Sequence, residues 1–223
     1  MDKRNLLGQV KMSVLIQEKV KSILIRSLST NEASKASQQQ AEQHAAMLIK
    51  YRPEKNCSSH LLNDLKISNI SEHMSMHRNM RWVLLYRLSE HGVSMNTFIS
   101  RLQGYDSTLL VIEEKNGHKF GGFCTEEWTF SSSFFGTGDN FVFTFRGSDE
   151  VEMWYASGDN NYYQFCDRSG FGLGGGIRGG RFALYLGNDL WRGSSNKTEC
   201  FENDCLSSHA DFECVDLEVW GFE

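Results

Sequence analysis

Between residues 82 and 220 the chain is built from short aromatic, β-branched and glycine blocks, and no other feature constrains its fold as strongly. Val83-Leu84-Leu85-Tyr86, Thr108-Leu109-Leu110-Val111-Ile112, Phe141-Val142-Phe143-Thr144-Phe145 and Phe182-Ala183-Leu184-Tyr185-Leu186 are too short for helices. They are rich in side chains that fit a pleated, buried surface, so each reads as a strand. Turn signals separate them at Lys115-Asn116-Gly117, Gly136-Thr137-Gly138-Asp139, Gly158-Asp159-Asn160 and Gly187-Asn188-Asp189. Many short strands at this spacing, with brief helical pieces such as residues 94–102, predict a strand-rich α+β domain. The expected architecture is a mostly antiparallel two-sheet sandwich with helices at its margins.

The segment before this domain is different in kind. Residues 6–28 place Met12, Ile16, Val20 and Ile23 at helical spacing, and residues 33–49 are dominated by Ala, Gln, Glu and Lys, which are good helix formers. Pro53, the only proline, ends this stretch. Residues 1–58 are therefore expected to form a helical extension and residues 59–223 the domain. In the first thirty residues Lys3, Arg4, Lys11, Lys19, Lys21 and Arg26 outnumber Asp2 and Glu18, a balance shared with transit peptides and membrane-surface helices. The expectation is a helix docked on protein, with mitochondrial import left open. Leu61, Leu62, Leu65, Ile67 and Ile70 then form a short helical stripe that should pack on the domain.

Composition narrows the function classes. A formal net charge of -5 argues against a general nucleic-acid coat, which needs a basic surface. No apolar run approaches the roughly 18 residues needed to cross a bilayer, so the chain reads as cytoplasmic and soluble. The six cysteines are scattered, and Cys200, Cys205, His209 and Cys214 lack the paired close spacing of a zinc ribbon or finger, so no metal is expected. Gly174, Gly176 and Gly179 satisfy the spacing of a dinucleotide-binding loop. A strand-like run, residues 181–186, follows them instead of a helix, so no cofactor is expected. His91, His118 and His209 sit beside no nucleophile elbow. Glu113-Glu114 and Glu126-Glu127 are adjacent pairs whose side chains point in different directions. The one remaining chemistry is oxidant scavenging by a thiolate, for which Cys166, before Asp167-Arg168, and Cys200, near Lys197, are the candidates.

The pattern resembles the TLDc family. The resemblance is carried by Trp82-x-x-Leu85-Tyr86, His91-Gly92-x-Ser94, Phe120-Gly121-Gly122-Phe123, Trp128, Phe134-Phe135-Gly136-Thr137-Gly138, Trp154, Gly174-Gly175-Gly176, Phe201-x-Asn203 and the closing Leu217-Glu218-Val219-Trp220. It implies two antiparallel sheets with flanking helices and a non-catalytic role. The implied partner is the vacuolar-type proton-pumping ATPase, bound through its peripheral ATP-hydrolysing sector at the cytosolic face of endolysosomal or vacuolar membranes, and the implied process is resistance to oxidative stress. Gly92, Gly121 and Gly175 match family glycines implicated in pump binding, and a glycine at a turn or bulge acts through backbone geometry. Glu218 and Trp220 join them as partner-binding or fold-critical candidates. Glu218 is either surface-facing by alternation or a buried acid with a structural partner. The chain departs from the family by Ile177-Arg178 inserted before Gly179-Gly180. The alternative to pump binding is a structural subunit anchored in a larger assembly by its N-terminal helices.

Overall fold

The computed structural model describes residues 49–223 apart from Ser148 and residues 177–180. The chain divides into compact units at residues 1–48 and 49–223, so the N-terminal helices expected over residues 6–28 and 33–49 fall almost wholly outside the described part, as does Ile177-Arg178. Helix α1 (Asp64–Glu72) starts where Asn63 accepts a hydrogen bond from Lys66 N at 2.8 Å and buries Ile67 and Ile70. A 3₁₀ turn (Ser75–Asn79) leads into β1 (Trp82–Arg87), the short helix α2 (Leu88–His91) and helix α3 (Met95–Leu102). The strands that follow are β2 (Thr108–Glu114), β3 (Lys119–Cys124), β4 (Phe141–Phe145), β5 (Val151–Tyr155), β6 (Gln164–Asp167), β7 (Gly170–Leu173), β8 (Leu184–Gly187), β9 (Arg192–Ser194) and β10 (Asp211–Phe222).

Strand pairing joins the strands into one continuous sheet where a two-sheet sandwich was expected. The described strands form one 10-stranded antiparallel sheet in the order β5-β4-β3-β2-β10-β9-β8-β7-β6, with β1 also paired to β10. The physical reason is the length of β10. Its residues 211–213 pair with β9, residues 214–221 pair with β2, and its last residues pair with β1. A strand of ordinary length, about 5–6 residues, could not serve all three partners.

Both faces of the central strands are covered, which is why they read as unbroken apolar runs. On one face Leu110 and Ile112 of β2 join Phe98 of α3 and Phe171, Leu173, Leu184 and Leu186 of β7 and β8 in one cluster. On the other, Leu109 and Val111 join Phe141, Phe143, Trp82 and Trp220 beneath Ile67 and Ile70 of α1. The alternation is the period of two along a strand. Gly121 in β3 is a close-approach position. A Cβ there would lie 1.9 Å from the Leu110 carbonyl oxygen, so any side chain would push β2 and β3 apart.

Candidate partner-binding site

The last strand carries a carboxylate where an apolar side chain would be expected. Glu218 is wholly buried and stands directly opposite Arg87 in the β1–β10 register. Its Oε1 accepts from Arg87 Nε at 2.9 Å and from the His60 backbone N–H at 2.7 Å. Its Oε2 accepts from Ser59 Oγ at 2.5 Å and from Trp220 Nε1 at 3.1 Å. A buried charge needs such saturation, because removal from water costs more than a bare ion pair returns. The Arg87 side chain is 4% exposed. It also donates to Glu90 Oε1 at 2.5 Å and to the Ser58 carbonyl at 2.8 Å. Burial opposes its charge, and the hydrogen bonds to Glu90 and Glu218 outweigh that, leaving its pKa above the ordinary value. The second alternative for Glu218, a buried acid with a structural partner, is therefore the observed one, and Trp220 is part of the same arrangement.

Hydrogen bonds from the residues around this ion pair hold the loop that leaves β1. Arg87 N donates to His91 Nδ1 at 2.9 Å, Ser89 Oγ donates to Asp216 at 2.8 Å, and Tyr86 Oη donates to the Gly92 carbonyl. Burial and the nearby Arg101 hold His91 below its ordinary pKa, which keeps Nδ1 available as an acceptor. Gly92 has φ 74° and ψ 178°, a region essentially restricted to glycine, and no atom lies within 4 Å of where its Cβ would be. The glycine is required by the backbone and by nothing it touches. Next to it Val93 is 66% exposed, and Phe130 is 40% exposed. Both line a shallow cleft of about 480 Å³ with Asn96, Arg168 and Asn188, and among the described residues the Arg168 guanidinium has no acidic partner.

The other matched glycines lie elsewhere. Gly121 is in the middle of β3, and Gly175 is buried after β7, where a Cβ would come within 2.4 Å of the Phe134 ring. Gly121 and Gly175 are buried, whereas Gly92 is exposed. Arg87, Ser59, Val93 and Phe130 were not singled out from the sequence, and Arg168 was noted only as a neighbour of Cys166. Arg87 had a signal, a cation closing an apolar strand, which demands an acid across the sheet.

The cysteine chemistry does not assemble. Cys166 and Cys200 are 0% and 1% exposed, and burial pushes both thiols up to about 12, with Asp167 adding to the effect at Cys166. Thiols held protonated are poor nucleophiles. Cys200, Cys205, His209 and Cys214 do not come together as a metal-binding group among the described residues.

A connected antiparallel sheet with a buried ion pair beneath an exposed loop defines a β-rich domain whose built feature is a surface. Residues 55–223 match the family model of the TLDc domain, and the chain belongs to that family. It is 40% identical over 167 residues to mouse nuclear receptor coactivator 7, covering 74% of this chain and 17% of the relative. It is 37% identical over 175 residues to rat oxidation resistance protein 1, covering 78% of this chain and 20% of the relative, and the Xenopus laevis protein of that name matches at 33% over 198 residues. The chain thus spans about a fifth of the length of these relatives.

Proposed function

We propose that this protein acts without chemistry of its own, binding the peripheral, ATP-hydrolysing sector of the vacuolar-type proton pump at the cytosolic face of its membrane and supporting resistance to oxidative stress. The observation that carries the reading is the exposed Gly92-Val93 loop, set above Arg87 and Glu218 and beside Phe130 and Arg168, whose guanidinium has no acidic partner among the described residues. An exposed apolar pair next to a guanidinium suits an apolar partner segment that carries an acid, since preorganised anchors lose little entropy on binding. Membership in a family whose relatives include oxidation resistance proteins supports the same reading.

The test is affinity purification of the tagged full chain from its own cells, with Val93→Glu and Phe130→Glu as variants that leave the core untouched. Peripheral ATPase subunits should be recovered with the native chain and depleted at least tenfold with either variant. Their absence from the native purification would end the reading, and equal recovery with both variants would move the contact off this loop.

A further inference from the structure

A second cleft lies on the opposite side of the central strands, between the C-terminal end of α1 and the edge strand β5. Its volume is about 350 Å³, within the range of small-ligand sites. Five rings lining it make a continuous arc. His73 and Tyr155 have centroids 6.1 Å apart, Tyr155 and Phe141 6.0 Å, Phe141 and Phe123 5.2 Å, and Phe123 and His77 5.2 Å. The only carboxylate lining it belongs to Asp139, which has no ion-pair partner among the described residues. Tyr155 is 52% exposed, so the arc opens to solvent at one end.

We propose that this cleft binds an organic cation, an alkylated ammonium or a guanidinium, with the rings against its apolar surface and Asp139 as its counter-charge. Ring faces attract cations through their quadrupole, and a carboxylate beside them adds a charge that a neutral ligand could not use. The two imidazoles do not oppose this. Burial holds His73 and His77 below their ordinary pKa, with Glu72 beside His73 and the Met74 carbonyl at His77 only partly offsetting it, so both rings are uncharged at neutral pH. No lysine or arginine is among the described lining residues, and Lys50 and Arg78 are engaged elsewhere, Lys50 with Glu72 and Arg78 with the Ser75 carbonyl and the Tyr51 hydroxyl. The site shares no residue with the Gly92 loop, so it stands or falls independently of pump binding.

Calorimetric titration of the full chain with tetramethylammonium chloride, against sodium chloride at matched ionic strength, tests it. Saturable binding is expected, weakened about tenfold in Asp139→Asn and in Tyr155→Ala, two surface changes whose folding is checked by thermal melting. The neutral isostere tert-butanol should not bind. Equal binding of tert-butanol, no binding of the cation, or unchanged affinity in a folded Asp139→Asn variant would each overturn the proposal. Parallel titrations with choline and with Nα-acetyl-Nε-trimethyllysine amide and Nα-acetylarginine amide separate a free small molecule from a partner's basic side chain as the source of the cation.

Discussion

Glu218→Ala would leave the Arg87 guanidinium buried against a hole, and breaking a buried pair in this way costs about 3–5 kcal/mol. Urea denaturation should show that loss, and the double variant Arg87→Met/Glu218→Leu should lose less than the two single changes added together, because no uncompensated charge remains. Gly92→Ala acts by another route. With open space around the Cβ, its cost is confined to the backbone, about 1–3 kcal/mol for a non-glycine residue in that region. If the same variant also loses pump subunits while Val93 and Phe130 remain intact, the glycine matters by shaping the loop. Glu218 and Gly92 could both be singled out from the sequence, one as an acid in an apolar strand and one in a His-Gly turn. Their connection through Arg87, Tyr86 and His91 could not, since it depends on which strand lies beside which.

The helices and strands show where local signals suffice. Helix α3 begins at Ser94, whose Oγ accepts from Thr97 N at 3.3 Å, and it buries Phe98 in a ring stack with Phe171 at 4.8 Å. Ser94→Ala should lower stability by about 1 kcal/mol as a lost cap. Phe98→Ala should cost about 3–5 kcal/mol through the cavity it leaves, and thermal melting would separate the two by their shifts. The runs read as strands at 108–112 and 141–145 coincide with β2 and β4, because a buried central strand keeps an apolar residue on each face. The run expected from Phe182 begins as β8 only at Leu184. Phe182 instead leaves the ladder to pack on Phe165 and Phe134. Strands β3, β5, β6, β7 and β9 were not read as strands: β3, β6, β7 and β9 carry glycine or polar residues that break the apolar run, and β5 is an edge strand with mixed exposure.

For the molecule as a whole, the buried thiols predict a pH response. Cys166, Cys200 and Cys214 are pushed from the usual 9.0 to about 12 by burial. Between those values the unfolded chain releases protons that the folded chain retains. The stability due to protonated burial is therefore present below pH 9 and lost as pH rises through about 12. Urea midpoints measured across that window should fall, and less steeply in a Cys166→Ala/Cys200→Ala/Cys214→Ala variant. Alkylation at neutral pH should mark the exposed Cys57 while these three stay protected. By itself the sequence determined the family, the strand-rich class and the positions of most central strands and turns, because these rest on local periodicity and on glycines whose spacing survives without contacts. The tertiary structure alone decided that one long strand joins the sheet where two sheets were expected. It alone set Arg87 near the Gly92 loop, sealed the candidate thiols and brought five rings and Asp139 to one cleft. Each of these is a contact between residues far apart in sequence, and no local pattern encodes which distant partner a buried group will meet.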